Sequence, residues 1–154
     1  RGTEIFERAV RYEEELTAAM LDLDHFKAVN DTYGHVTGDR VLRRTGELIR
    51  QTVRSADVAS RYGGEEFCLL MPRTSVPGAV SLVERVRRSL AEETFETDSG
   101  ESLTVTISAG VAQRTPSTGS LEELLKDADE QLYRAKDEGR NCVRRPDLQE
   151  NSST

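Results

Sequence analysis

The chain has 154 residues, and its 28 acidic side chains against 21 Lys and Arg give a formal net charge of −7. This length suits one domain, and the acidic balance argues against a protein that coats nucleic acid through a basic face. No apolar run approaches the roughly 20 residues of a membrane-spanning helix, and no signal peptide opens the sequence. Cys68 and Cys142 form no CxxC motif, so we expect a reducing, cytoplasmic setting without a disulfide framework.

Apolar spacing in the first third predicts a helix over residues 3–16 and a buried strand over 17–23. A short helical piece at 26–30 should run into a turn at 31–34. The apolar residues of 39–53 lie at the spacing of an amphipathic helix.

The middle of the chain predicts a hairpin followed by a helix. Two β-prone runs, 58–62 and 66–71, are separated by the glycine pair 63–64, and glycines at such a tip can take positive φ. An apolar stripe over 79–90 predicts the next helix.

The last third predicts the best strand of the chain, where residues 103–111 alternate strictly between apolar and small or polar. Ser120 and Glu123 form a capping box. The helix that they open should end at Gly139, before a short strand at 141–143.

These elements together predict one α+β domain over residues 1–145, with helices on a mostly antiparallel sheet. The polar residues 146–154 should form a disordered tail.

Carboxylates occur at two places where an apolar strand meets a turn. Asp22 and Asp24 close the first strand, and period-two alternation puts both on one face. Glu65 and Glu66 follow the glycine pair of the hairpin. Taken alone, each place is more often an exposed strand end or an ordinary turn. Brought together from adjacent strands, such oxygen ligands are what Mg²⁺ prefers, with substrate phosphates and water completing its shell.

Three cations complete a candidate phosphate site. Lys27 follows the first acids, and Lys136 and Arg140 flank Gly139. Lone lysines on helices are most often solvated, but a metal and a few cations are the minimum for a triphosphate. Backbone N–H groups at 24–27 would also favour an anion. The sequence has no GxxxxGK[ST] motif, which argues against a P-loop NTPase. It also lacks the GxSxG and HExxH motifs of other enzyme classes.

These features together resemble the GGDEF family, the diguanylate cyclases. The resemblance spans about residues 4–144 in the expected order, although the family's D-x-L-T-G-L-x-N-R opening is missing apart from Arg1. The segments that carry it are LDLDHFKAVNDTYGH at 21–35, Gly38-Asp39, RYGGEEF at 61–67, TISAG at 106–110, Ala128-Asp129, and LYRAK with GRN over 132–141.

The resemblance implies a palm fold of the nucleotide-cyclase or ferredoxin-like type, with a five-stranded, mostly antiparallel sheet flanked by helices. It implies the condensation of two GTP into cyclic di-GMP, with release of pyrophosphate, by 3′-hydroxyl attack on an α-phosphate. Each domain would hold one GTP, so two copies must face each other with two-fold symmetry. It also implies a regulatory domain N-terminal to Arg1, and no nucleic-acid or membrane contact by this domain. The whole protein could still be anchored in a membrane.

The resemblance also assigns roles to individual residues. Two Mg²⁺ ions per site, with Mn²⁺ as an alternative, would be held by Asp22, the Leu23 carbonyl, Glu65 and Glu66. Glu65 would in addition help to deprotonate the 3′-hydroxyl. The phosphate contacts are assigned to His25, Phe26, Lys27, Lys136 and Arg140.

The guanine and its ribose are assigned to a second set of residues. An acid can accept from guanine N1–H and N2–H₂, while Asn both donates and accepts, which suits Asp39 and Asn30 as readers of the guanine edge. His35 lies in the nucleotide-contacting stretch, and Gly63 and Gly64 allow the nucleotide to approach closely.

Arg54-Ser55-Ala56-Asp57 is an RxxD motif at the spacing that marks the product-inhibition site in this family. The planar guanidinium of Arg54 can engage a phosphate or a guanine edge with two hydrogen bonds. Alone, RxxD is usually a surface ion pair; in this position we expect inhibition by cyclic di-GMP, with Arg85 as a further contact.

Three other readings remain open. The chain could be a non-catalytic module that binds GTP or cyclic di-GMP and signals by contact, although its signature acids are intact. It could make mixed or adenine dinucleotides, although Asp39 is poorly matched to the N1 acceptor of adenine. A purely structural domain would have no use for acids at strand ends.

Overall fold

The computed structural model describes residues 1–147, which form five helices and seven strands. No helix among these residues is long and apolar enough to cross a membrane. The predicted tail falls largely on residues 148–154, which lie outside the described part. The elements are α1 (Gly2–Tyr12), β1 (Leu16–Leu23), α2 (Phe26–Tyr33), α3 (His35–Thr52), β2 (Val58–Arg61), β3 (Glu66–Pro72), α4 (Val76–Glu92), β4 (Phe95–Glu96), β5 (Ser102–Leu103), β6 (Ile107–Gln113), α5 (Leu121–Asp137) and β7 (Val143–Arg144).

Five strands form the central sheet in the order β2-β3-β1-β6-β7. β1 lies in the middle and is antiparallel to β3 and β6, and β2 is antiparallel to β3. The two-residue β7 runs parallel to β6 at one edge, so the sheet is mixed. The predicted α+β fold is confirmed, with this parallel edge added to an otherwise antiparallel sheet.

Helices cover both faces of the central sheet. On one face, α2, α3 and α4 pack onto residues such as Leu21, Leu69 and Ile107. On the other face, α1 and α5 pack onto Met20 and Leu70. All eight residues of β1 are therefore buried, which explains why its sequence is a continuous apolar run and not an alternating one.

The predicted strand over 103–111 is wrong at its start. Leu103 belongs to β5, which pairs with β4 in a separate two-stranded sheet. β6 begins only at Ile107, opposite Leu23, because β1 ends there. One further backbone hydrogen bond, from the Asp24 N–H to the Thr106 carbonyl at 2.9 Å, follows the last residue pair. The alternation continues upstream because Leu103 and the buried Val105 also pack against the core.

Two predicted helix boundaries are also wrong. The helix predicted over 3–16 ends at Tyr12, because Glu13 takes the left-handed conformation (φ 52°) and the Glu14 N–H closes the end on the Ala9 carbonyl. The turn predicted over 31–34 is helical up to Tyr33. Gly34 alone, at φ 89°, separates α2 from α3.

The close approach of α5 to the sheet depends on Gly110 in β6. A Cβ at this position would lie 2.1 Å from the Leu132 backbone nitrogen and 2.2 Å from the Ala128 carbonyl oxygen. α5 begins at the predicted cap, where Ser120 accepts from the Glu123 N–H. This packing fixes where the C-terminal end of α5 lies relative to the end of β1.

Candidate active site

The acidic residues singled out in the sequence meet where β1 ends beside the hairpin. Asp22 lies opposite Glu66 in the pairing of β1 with β3, and the Leu23 N–H donates to the Glu65 carbonyl at 3.2 Å. Asp22 is only 5% exposed, whereas both glutamates are half-buried. The antiparallel pairing of two adjacent strands thus joins carboxylates that are more than 40 positions apart in the sequence.

One lysine partly balances this concentration of negative charge. Lys136, in the last turn of α5, donates to the Asp22 carboxylate at 2.5 Å. Burial raises the pKa of Asp22 above its ordinary value, and the Lys136 hydrogen bond opposes that rise. Burial also raises the pKa of Glu66, and the charges of Asp22 and Asp129 add to the effect. A cation bound beside these two carboxylates would therefore stabilise their ionised forms.

A small cleft of about 170 Å³ opens at this point between β1, the hairpin tip and the end of α5. It brings together the acids, the three cations and the start of α2. His25 caps α2 in the left-handed conformation (φ 56°) and makes no side-chain capping bond, so the first backbone N–H groups of the helix are available to an anion. The cleft is lined by Asp22, Leu23, Asp24, His25, Phe26, Lys27, Glu65, Lys136 and Arg140.

A larger groove of about 530 Å³ lies between α3 and the β2–β3 hairpin, the same hairpin whose tip carries Glu65. Asp39, Leu42, Arg61 and Phe67 are among its lining residues. Asp39 is exposed in the second turn of α3, and the apolar Leu42 and Phe67 offer a surface for a flat ring. The groove has the size and the chemistry for a purine, whereas the smaller cleft has the charges for phosphates.

Asn30 reaches this region by packing against α3. A Cβ on Gly38 would lie 1.8 Å from the Asn30 Oδ1 atom, so only glycine leaves room for the amide there. Asn30 and Asp39 are thus placed on either side of one close helix contact. His35, in contrast, is exposed at the first residue of α3 and lines neither the cleft nor the groove.

The hairpin tip differs from the prediction in its backbone. Neither Gly63 nor Gly64 takes the left-handed conformation, because a four-residue loop, not a two-residue turn, joins β2 to β3. Arg61 holds the tip from one side, donating to the Gly64 carbonyl at 2.7 Å through Nη2 and at 3.1 Å through Nε. Nothing lies within 4 Å of the Cβ position of Gly64, so this side remains open to a ligand.

The RxxD residues form one compact unit between α3 and β2. The Asp57 side chain is fully buried and accepts from the Arg54 backbone N–H at 2.8 Å. The Arg54 guanidinium donates to Asp57, to the Pro72 carbonyl and to Thr74. Arg85 is exposed on α4, and no hydrogen bond or ion pair among the described residues joins it to Arg54 or Asp57.

The oxygen donors fit an ion that shares its shell with substrate. Within residues 1–147, no three Asp, Glu, His or Cys side chains are grouped as a closed metal cage. Mg²⁺ does not require one, since it is usually bound by one or two carboxylates together with substrate phosphates and water. Asp22 and Glu65 supply such a pair beside the cations of the cleft.

Two residues that sequence reasoning left without a role are important in the site. Arg61 fixes the hairpin tip, as described above. Asp24 is 4% exposed and accepts from the hydroxyls of Thr106 and Ser108, at 2.7 and 2.6 Å. The apolar pattern around Asp24 indicated a buried acid, but its partners lie more than 80 positions away in the sequence and could not be identified from it.

Comparison with known proteins decides the family. The model of the diguanylate cyclase GGDEF domain matches residues 3–142. The chain belongs to the GGDEF family. The family resemblance found in the sequence is thereby confirmed.

Relatives of this GGDEF domain include enzymes and a response regulator. Diguanylate cyclase A of Treponema denticola is 42% identical over 130 residues, which are 84% of this chain and 35% of that protein. Response regulator PleD of Caulobacter vibrioides is 41% identical over 140 residues, 90% of this chain and 31% of that protein. The chain therefore spans about a third of the length of these curated relatives.

A solved structure shows the same fold. The GGDEF domain of DgcB from Caulobacter crescentus, in complex with c-di-GMP, superposes with a TM-score of 0.89 at 34% identity. The match covers 93% of this chain and 84% of that chain. The mixed, helix-covered sheet described above is therefore the GGDEF fold.

Proposed function

We propose that this GGDEF domain is a diguanylate cyclase that condenses two GTP into cyclic di-GMP and releases pyrophosphate. The observation that carries the proposal is the cleft itself, which Asp22 and Glu65 line together with Lys136 and Arg140. The hairpin that supplies Glu65 also lines the groove of Asp39, so one hairpin borders acids for a metal, cations for phosphates and a groove large enough for a purine. Enzymes of this name among the relatives support the same reaction.

Asp22 and Glu65 would hold Mg²⁺, with the Leu23 carbonyl and Glu66 as further oxygen donors and two ions in each site. Mn²⁺ is an alternative ion. When bound, the metal supplies charge neutralisation for the triphosphate and polarises a phosphoryl oxygen. The Glu65 carboxylate accepts the proton of the attacking 3′-hydroxyl, because it is the acid at the open hairpin tip.

Phosphates would bind to the cationic side of the cleft. Lys27 and Arg140 are exposed at its rim and can reach a ligand that enters from solvent. The backbone N–H groups at His25 and Phe26 add the positive end of α2. Lys136 compensates Asp22 and lies close enough to contact a bound phosphate.

Guanine would occupy the larger groove. Asp39 accepts from N1–H and N2–H₂, and Asn30 pairs with the remaining edge, which together favour guanine over adenine. Gly63 and Gly64 leave room for the nucleotide at the hairpin tip. His35 would approach the nucleotide only from outside the groove.

Catalysis would require two copies of the domain. One cleft holds one triphosphate, whereas the product joins two nucleotides, so a second domain must present its GTP across a two-fold axis. We propose that a regulatory domain N-terminal to Arg1 controls this encounter. A nucleoside triphosphate substrate and two free cysteines agree with a cytoplasmic location. The net charge of −7 agrees with no role in nucleic-acid binding, and we propose no membrane contact by this domain.

Cyclic di-GMP would also act as an inhibitor at the RxxD unit. Arg54 is held in a defined orientation by Asp57 while more than half of its side chain stays exposed. A planar guanidinium fixed in this way suits a phosphate or a guanine edge. Arg85 would contribute only through the bound dinucleotide, since it does not contact the Arg54–Asp57 pair directly.

Incubation of the protein with GTP and Mg²⁺ at high protein concentration, followed by mass detection of cyclic di-GMP, tests the proposal. We expect the dinucleotide and pyrophosphate to form in a ratio of one to two. GTP binding without any product would instead indicate a non-catalytic binding module. Product from ATP at a comparable rate would contradict the assignment of Asp39 to guanine.

A further inference from the structure

Asp24 is a buried acid for which the proposed reaction has no use. Its Oδ2 accepts from the Thr106 hydroxyl at 2.7 Å and from the Asn141 backbone N–H at 3.0 Å, and its Oδ1 accepts from the Ser108 hydroxyl at 2.6 Å. Both oxygens are therefore occupied by protein donors. Asp24 lines the cleft beside Asp22, but one of its hydrogen-bond donors, Asn141, belongs to the segment that follows α5.

That segment has an unusual backbone. Gly139, Arg140 and Asn141 have φ values of 117°, 63° and 48°, so three consecutive residues lie in the left-handed region. This conformation is disfavoured for Arg and Asn, and a run of it persists only where surrounding contacts impose it. The bend turns the chain from the end of α5 toward the edge strand β7.

The contacts that impose the bend come from three directions. The Arg140 N–H donates to the Ala135 carbonyl at 2.9 Å, which ties the bend to α5. The Asn141 N–H donates to Asp24 and to the Ser108 hydroxyl, at 3.0 and 3.1 Å. Arg87 of α4 donates to the Asn141 side-chain oxygen at 2.8 Å. The bonds of Asp24 and Arg87 are charge-assisted and therefore the stronger ones of the set, and of these two only the Asp24 bond holds the backbone of Asn141.

We propose that Asp24 is a positioning residue for phosphate binding, which acts by fixing the backbone of Asn141 so that the preceding Arg140 faces the cleft. Asp24 would not touch the ligand, and it would not serve as a metal ligand. The proposal rests on the proposed function, because it takes the ligand of the cleft to be a nucleoside triphosphate. Arg87 holds the same bend from outside, and Glu84 in turn holds Arg87 through two hydrogen bonds of 2.7 and 3.0 Å.

The test is a double-mutant cycle on ligand binding. Calorimetry would measure the affinities of the α,β-methylene analogue of GTP, which cannot release pyrophosphate, and of guanosine. The proteins are the wild type, Asp24→Asn, Arg140→Met and the double variant. Asp98→Asn, at an exposed position outside the site, serves as the control for the loss of one negative charge.

We expect Asp24→Asn to weaken binding of the analogue about tenfold, the value of one charged hydrogen bond, and to leave guanosine affinity unchanged. Arg140→Met should produce a similar loss, and the double variant should lose no more than Arg140→Met alone. Losses that multiply in the double variant would overturn the proposal, and so would an equal loss for guanosine or no loss at all. The control should match the wild type.

Asp24→Asn could also lower stability, because Asp24 has three buried partners. If that variant is unfolded at the assay temperature, Thr106→Val takes its place and is judged by the same criteria, since it removes the hydroxyl that donates to the Asp24 Oδ2 atom. The measurements also distinguish a failure of the proposed function from a failure of the role proposed for Asp24. A wild type that binds neither ligand removes both proposals, whereas a wild type that makes cyclic di-GMP but shows an additive cycle removes only the role of Asp24.

Discussion

At the scale of single residues, the site joins an acid from the first quarter of the chain, Asp22, to cations from its last sixth. Asp22 and Lys136 are 114 positions apart and form one ion pair. Removing a charged partner from a buried carboxylate is costly, because the remaining charge is left unpaired in a poorly solvated place. Lys136 therefore supports the fold of the acidic strand end, in addition to the phosphate contact that we propose for it.

Glu65→Gln tests the residue to which we assign metal binding and proton transfer. The amide keeps the shape of the side chain but is a poor metal ligand and cannot accept the proton, so we expect cyclic di-GMP formation to fall by about 10²-fold or more. Product would be measured by mass detection and folding by thermal melting. Glu92→Gln, at the exposed end of α4, is the matched control. A Glu65→Gln protein that is as active as the wild type would show that the assignment is wrong.

Arg54→Ala tests the inhibitory site more cleanly than a change at Asp57. The Asp57 carboxylate is buried and closes the turn on the Arg54 N–H, so its removal would disturb the backbone as well. Arg54 is half-exposed, and its backbone N–H remains after the substitution. We expect unchanged initial rates and a several-fold higher concentration of cyclic di-GMP for half-inhibition. Arg88→Ala, at an exposed position of α4, is the control. If Arg54→Ala gives the same inhibition curve as the wild type, the inhibitory site is rejected.

The sequence was most informative where chemistry is local. Asp22 and Glu65 stand in short motifs whose acids and glycines predict a metal and phosphate site, and the family resemblance adds Asp39 as a predicted contact of the base. Residues that act through distant partners or through the backbone could not be recognised in this way. Asp24 has partners more than 80 positions away. Arg61 has near partners, but they are carbonyl oxygens of the hairpin tip, which carry no side-chain signal.

At the scale of elements, the position of α5 depends on the absence of one side chain. Gly110 lies under the α5 backbone, and an added methyl group would overlap the Leu132 nitrogen and the Ala128 carbonyl. We expect Gly110→Ala to lower the free energy of unfolding by about 1–3 kcal/mol through overpacking. The same shift would move Lys136 and Arg140, so GTP affinity should fall more than guanosine affinity. Chemical denaturation and calorimetry would measure the two effects.

A matched substitution separates packing from conformation. Gly46→Ala, on α3, replaces another glycine inside a helix where the nearest atom is the flexible end of Arg50. It should leave stability equal or slightly higher, because alanine is the better helix former. Equal stability of Gly110→Ala and the wild type would contradict the close approach of α5 to β6.

Element boundaries were predictable to the extent that they are set by local signals. The Ser120 cap and the strands of the hairpin follow from the sequence alone. The split between β5 and β6 does not, because it is decided by where β1 ends. The short strand predicted over 141–143 is observed as β7 at Val143–Arg144, but its parallel pairing with β6 leaves no signal in the sequence.

At the scale of the whole molecule, the proposal predicts that activity depends on encounters between domains. If one cleft holds one GTP, the rate per domain should rise with protein concentration until the paired state is saturated. Initial rates over a hundredfold range of concentration, at saturating GTP and Mg²⁺, would measure this. An equal mixture of wild type with Glu65→Gln should give less than half of the wild-type rate, since mixed pairs carry one defective half. A flat rate per domain would contradict the two-domain reaction.

The parallel edge strand has a consequence for synthesis of the protein. β7 and the bend before it come after every other element of the sheet, and they hold the backbone that carries Arg140. The residues that line the larger groove end at Phe67, whereas the cleft also needs Lys136 and Arg140. A nascent chain therefore contains every residue of the groove about 70 positions before it contains the two cations that complete the cleft.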